Sequence, residues 1–260
     1  MKKIVYVARA EFQRGTYALP FAAQIVLTLV WLFMNVLDIV TNEQMLAVCC
    51  WRQLLDRGTT SIANFAELIL ILGTVSFAWS FREDRASGFL RPVLQRVRVR
   101  DYCLAKFLAV ALLSFLASTV AILVFVLLSQ FLPLAPFVPA EYLQGSYLSF
   151  AVENGSLVYL IARCLVTGLT CSLAAVIALA ASSWVDNLFV VLLAPFILYQ
   201  FIDITQEMLE SKVMVSSFLF GQPLNDPGAA LLATSAVMLA GMLLAGIYFY
   251  LGVATGREML

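Results

Sequence analysis

The chain contains no histidine. That removes the side chain best suited to proton transfer near neutral pH and the commonest metal ligand. Charge is scarce as well. Only 12% of the 260 residues are Asp, Glu, Lys or Arg, where an ordinary soluble domain carries about 25%. The five cysteines, Cys49, Cys50, Cys103, Cys164 and Cys171, have no metal-site spacing and outline no disulfide framework. Cys164 and Cys171 lie in an apolar run, where a thiol behaves as a small hydrophobe. The phosphate-cradling pattern G-x-x-x-x-G-K-[ST] is missing, so the chain cannot hydrolyse ATP by that route. Formal net charge is zero, so the total says nothing about partners, and no nucleic-acid partner is expected.

What is present in quantity is apolar surface. Hydrophobic residues make up 62% of the chain, too many for a protein surrounded by water. Each membrane-crossing helix needs roughly 20 mostly apolar residues to traverse about 30 Å of hydrocarbon. Six stretches qualify: about Tyr17–Val40, Ile62–Phe81, Ala105–Leu132, Leu157–Ser182, Asn187–Ile202 and Ala229–Gly252. Helices are expected because backbone polar groups in lipid must pair within their own segment. The ten-residue alternating strands of a barrel do not occur. The expectation is an all-α polytopic membrane protein, a single six-helix domain over 1–260. Residues 1–16 form an interfacial helix, with Ile4, Ala8 and Phe12 on its apolar side. The N-terminal segment is expected to be retained, since it lacks a clean cleavage site.

An even number of spans puts both termini on one side. With that side cytoplasmic, twelve of the sixteen Lys and Arg residues face inward, and only Arg52, Arg57, Arg163 and Lys212 face outward. This agrees with the positive-inside rule. A plasma-membrane protein with both ends in the cytosol is expected. Thr41–Ser61 reads as a short interfacial helix. The connection Pro133–Ser156 carries aromatic residues suited to the headgroup belt. "VMVSSFLF" in the last outer connection is too short to span.

Seven of the sixteen positive charges lie between Arg82 and Lys106. In this loop, 82–104, Phe89, Val93 and Val97 recur at helical spacing, with Leu90 and Leu94 beside them. Gly88 and Pro92 interrupt the pattern and imply a bend between two short pieces. Glu83 or Asp84, Gly88, Leu90 to Leu94, Arg98 and Arg100, Tyr102 and Lys106 together resemble the intracellular loop of type-2 ABC transporter permeases. That family often has Pro and Ser just before its basic residue, whereas here that place reads "RVRVR" and Pro92 comes earlier. The six-helix plan, the length and the basic N-terminus are similar to that family too.

The resemblance implies a coupling helix seated in a groove of a separate ABC ATPase subunit, which would bind ATP and Mg. It also implies a second permease, either a copy or a relative, lining a shared path. This chain itself would carry no cofactor, no metal and no catalytic residue. The resemblance implies an exporter, and the apolar composition favours an amphipathic or hydrophobic cargo such as an antimicrobial peptide, drug or lipid. Alternatives are a membrane enzyme acting on lipid headgroups and a non-transporting sensor or scaffold. Two charges fall well inside expected spans, away from their ends, Glu67 and Arg163. Charges at that depth cost several kcal/mol unless paired, and the two sit at similar depth, so they are expected to pair with each other.

Overall fold

The computed structural model describes residues 2–16, 19–60, 67–134, 156–208 and 227–255. Within them every regular element is an α-helix. Helix α1 (Lys2–Thr16) leads into α2 (Leu19–Val40), and two short helices follow, α3 (Glu43–Val48) and α4 (Trp51–Thr60). Asn42 starts α3 in the manner of an N-cap, its side-chain oxygen accepting from the Gln44 and Met45 amides. Three more short helices are α5 (Leu68–Leu72), α6 (Ser80–Ala86) and α7 (Leu90–Arg96). The long helices α8 (Val99–Ser129), α9 (Ser156–Ser182), α10 (Leu188–Met208) and α11 (Pro227–Thr255) complete the chain. The aromatic connection after Leu134 and the "VMVSSFLF" run lie outside the described residues.

Five helices are long and apolar enough to cross a bilayer: Leu19–Val40, Val99–Ser129, Leu157–Ser182, Leu188–Gln206 and Leu231–Thr255. They mark the chain as membrane-embedded. Helix α9 is the hub, with 72% of its apolar window buried against 17% for α10. Small residues let its neighbours close in. Ser172 on α9 donates to the Ala111 carbonyl of α8 at 2.9 Å. A β-carbon at Gly241 of α11 would come within 3.1 Å of Leu173 on α9. One core layer, at the α3–α4 end, gathers Leu32, Leu54, Leu55, Phe125 and Tyr159. Another, at the end holding α1, α6 and α7, gathers Phe81, Leu90, Tyr102, Leu179 and Phe249.

The expected span Ile62–Phe81 is not one regular helix in its described part, which begins at Glu67. Helix α5 stops at Leu72, turns occupy residues 73–79, and α6 resumes at Ser80. The reason lies in "GTVSFAW". Glycine, β-branched Thr and Val, and Ser are poor helix formers, and Thr and Ser offer their own hydrogen bonds to the backbone. The ladder tightens here: the Thr74 amide reaches Ile71 at 3.0 Å and the Val75 amide reaches Leu72 at 3.2 Å. Non-helical backbone at membrane depth survives only inside protein. Thr74, Ser76 and Ser80 are accordingly buried. Ser114 of α8 donates to the Gly73 carbonyl at 2.8 Å, and Thr74 donates to Ile71 at 2.7 Å.

Gly73 also lets this segment lie directly on α9. A β-carbon there would come within 2.7 Å of the Cys171 carbonyl oxygen and 2.8 Å of its Cα, which are backbone atoms that cannot rotate away. At Gly168 the nearest obstacle is the Phe115 ring at 2.6 Å, a side chain that can turn. Gly73→Ala is expected to destabilise the protein by about 1–3 kcal/mol, the usual cost of overpacking, and Gly168→Ala by less. Unfolding midpoints of the purified variants in detergent test this. An equal or smaller loss for Gly73→Ala would contradict the geometry.

Candidate functional site

Helix α8 begins V-R-D-Y-C-L-A-K, which places Tyr102 and Lys106 four residues apart on one face. At 31 residues the helix is about 46 Å long, well beyond the roughly 30 Å of hydrocarbon, so its polar first turns need not lie in lipid. Yet Lys106 is wholly buried. An ammonium group withdrawn from water costs several kcal/mol unless its protons are accepted. Two carboxylates accept them: Glu11 of α1 at 2.8 Å and Asp84 of α6 at 2.6 Å. The Phe77 ring, with its centroid 5.0 Å from Nζ, adds a favourable cation–π contact.

Asp84 is the crossing point. Its Oδ2 accepts from Lys106 and from the Tyr102 hydroxyl at 2.8 Å, and its Oδ1 accepts from Arg14 of α1. Arg14 also reaches Glu83 at 3.0 Å. Burial alone would raise the Asp84 pKa. The Lys106 charge and the hydrogen bonds from Arg14, Lys106 and Tyr102 outweigh it and hold the carboxyl below its ordinary value. Two cations, Arg14 and Lys106, thus balance two buried anions, Glu11 and Asp84.

Helix α6 is held from its other side too. Arg82 and Arg85, three residues apart, both meet Asp186 in the turn between α9 and α10. Arg85 also faces the Ser183 carbonyl. "REDR" at 82–85 therefore ties one short helix to α1, to α8 and to the α9–α10 turn at once. Beyond it Gly88 adopts φ +73°, a left-handed turn that glycine takes without strain. That glycine lies in the turn at residues 87–89 that leads into α7. Pro92 does not make the bend, because it lies in the first turn of α7, where a missing amide is harmless. Leu90 anchors α7 in the core, Val93, Leu94 and Val97 pack against its edge, and Phe89 stays exposed.

Of the residues singled out in the sequence, Glu83, Asp84, Tyr102 and Lys106 meet in the cluster. Gly88, Leu90 and Leu94 shape the neighbouring turn. Arg98 and Arg100 stay exposed outside it. Glu11, Arg14, Arg85 and Asp186 complete the network and were not anticipated. The available signal was an isolated acid in a basic N-terminus, with Glu11 and Arg14 three apart on one helical face. Glu11 and Gly15, four residues apart, are buried against α8, beside the expected Phe12.

The expected pair of Glu67 with Arg163 gives way to two other contacts. Arg163 of α9 pairs with Asp56 of α4, with the Tyr159 hydroxyl beside the same carboxylate. Glu67 receives a hydrogen bond from Gln200 of α10. The physical reason is α4. It folds back over the helix ends, held to α2 by Asn35 donating to the Gly58 carbonyl at 2.7 Å. This delivers Asp56 to Arg163, a partner that hydropathy alone does not place.

Lys106→Met leaves Glu11 and Asp84 buried with one cation fewer. It should cost about 3–5 kcal/mol, as breakage of buried ion pairs does, read as a lowered unfolding midpoint. A loss under about 1 kcal/mol, the range of exposed pairs, would show that the pair is solvated. Because the folded pKa of Asp84 is depressed, its contribution is present at neutral pH and lost as pH falls below its ordinary value of 3.8. Asp84→Asn should flatten that acid dependence. Arg163→Glu should impair folding, and adding Asp56→Arg should recover part of the loss, whereas adding Glu67→Arg should recover none. Comparison with known protein families, with curated proteins and with solved structures gives no match to this chain.

Proposed function

We propose that the chain is the membrane subunit of an ABC-type exporter driven by a separate ATPase. The observation that carries this reading is the double clamp on α6. A push on α6 and α7 would reach α1 and α8 through Asp84, and the α9–α10 turn through Arg82 and Arg85. Ionic contacts of this kind move elements together without first unpacking an apolar core. The exposed Arg91, Arg96 and Arg98 on and beside α7 would face the ATPase, with the packed face of α7 transmitting the load. ATP and Mg would be held by that partner.

In this reading the interrupted stretch 62–81 counts as a sixth span, and the arginine-rich end lies in the cytosol with both termini. Two such chains, identical or related, would enclose the path. The cargo would be amphipathic or hydrophobic, in keeping with the apolar helices. The break at residues 73–79 supports the reading in a further way. A span interrupted in its cytoplasmic half, with buried hydroxyls around it, bends at lower cost than a continuous helix, and transporters use such breaks.

The test is purification of the intact chain from its native membrane. An ATPase is expected to co-purify. Arg91→Glu together with Arg98→Glu should weaken that association at least about tenfold, the scale of losing one interface anchor, while the unfolding midpoint stays unchanged. An undiminished association, or the absence of any nucleotide-hydrolysing companion, would defeat the proposal.

A further inference from the structure

A groove runs between α8 and α11 on the outer surface of the bundle, with a volume of about 410 Å³. That is within the roughly 300–1,000 Å³ typical of clefts that hold a small molecule. Its two walls are matching stripes. Arg100, Leu104 and Phe107 come from α8, and Leu243, Ile247 and Tyr250 come from α11. On each helix the lining falls at spacings of three and four, one continuous face. Gly246 keeps the floor open, since a β-carbon there would come within 2.9 Å of the Phe107 ring.

The groove is polarised. The helices run in opposite directions, so Arg100, near the start of α8, and Tyr250, near the end of α11, share one mouth. The Tyr250 phenol lies beside the Arg100 guanidinium. From that mouth to the level of Phe107 and Leu243 the groove descends seven residues, about 10 Å. This is most of the roughly 15 Å of hydrocarbon in one leaflet. Leu104, Leu243 and Ile247 are each about half exposed, although they are large and apolar.

Among the described residues no ion pair compensates the charge at the mouth. Each ion pair among the described residues uses Arg14, Arg57, Arg85, Lys106 or Arg163. Arg91, Arg96, Arg98 and Arg100 are all exposed, and among the described residues no carboxylate pairs with them.

We infer that this groove is a binding site for one anionic phospholipid, with its phosphate on Arg100 and Tyr250 and an acyl chain along the stripe toward Leu243. An apolar slot about 10 Å deep, with a single cation and a hydroxyl at its headgroup end, matches the upper part of such a lipid in both shape and charge. A zwitterionic lipid offers the same tail but brings its own cation to the mouth. The inference does not depend on the ATPase reading, because it concerns this chain alone.

The test is native mass spectrometry of the purified full chain, equilibrated with equal amounts of phosphatidylglycerol and phosphatidylcholine. One phosphatidylglycerol should be retained in preference, by about fivefold for a single surface cation. Arg100→Gln should abolish the preference, and Leu243→Trp, which fills the slot, should lower retention of both lipids. Arg91→Gln, on α7 and away from the groove, should leave the preference intact. Unchanged unfolding midpoints would show that the variants are folded. Arg100 is exposed, so its variant keeps the test valid even if Leu243→Trp misfolds. A preference that survives Arg100→Gln overturns the inference. So does an equal loss for Arg91→Gln, which would mean diffuse surface attraction. Displacement of the lipid by glycerol phosphate would assign the mouth to soluble phosphates instead. Altered oligomeric state in Leu243→Trp without altered lipid retention would assign the groove to a second copy of the chain.

Discussion

The buried Lys106 ammonium constrains one whole end of this protein. It is fully enclosed by protein, so its protons must be accepted by groups brought to it from elsewhere. Glu11 brings α1 and Asp84 brings α6. Each carboxylate then attracts a second layer, Arg14 and Tyr102 on Asp84. Well-packed apolar residues in place of such a cluster often give equal or greater stability, so stability alone does not account for it. In a chain this rich in Leu, Val and Ala, apolar contacts are nearly interchangeable, and a helix could slide by a turn at small cost. Directional bonds to one nitrogen remove that freedom and set which turn of α1 faces which turn of α8.

The same logic acts along the rest of the bundle. Where the helix breaks after Leu72, the hydroxyl of Ser114 on the neighbouring helix takes up the Gly73 carbonyl, and the Thr74 hydroxyl adds a second hydrogen bond to the Ile71 carbonyl. At the opposite end, Asn35 takes the Gly58 carbonyl and Arg163 takes Asp56. Ser114, Asn35 and Arg163 each lie in an apolar helix and fasten a neighbouring segment of the chain to it. The polar residues of this chain are few, and many of them sit at joints. The groove between α8 and α11 is the complement of that pattern. At its mouth Arg100 pairs with no carboxylate among the described residues and faces the surroundings.

Much of the long-helix plan was legible in the sequence. Runs of about twenty apolar residues can be little else in a bilayer, and α2, α8, α9, α10 and α11 follow them with shifts of a few residues at their ends. The boundary errors have causes. Helix α8 begins at Val99 and not at Ala105, because Asp101 in its first turn suits a helix N-terminus, whereas hydropathy excludes charged residues. Helix α10 runs on to Met208, past the first acidic residues. The stretch from Ile62 misled most, because hydropathy counts apolar residues and does not register that Gly73, Thr74 and Ser76 weaken a helix locally. Glu83, Asp84, Tyr102 and Lys106 stood out by type and spacing, but Glu11 and Asp186, 95 and 80 positions from Lys106 in the chain, had no local signal linking them to it.

The sequence by itself determined the solvent of this protein, its helical class and the gathering of positive charge beside α7. These depend on composition and short-range periodicity, which one segment carries alone. Tertiary structure decided the partners. That Arg163 meets Asp56 and not Glu67, that Asp84 joins three elements, and that α8 and α11 leave a slot at Gly246 depend on how separate segments pack. Hydrogen bonds and ion pairs act over a few ångströms, and only the fold brings residues a hundred positions apart within that reach.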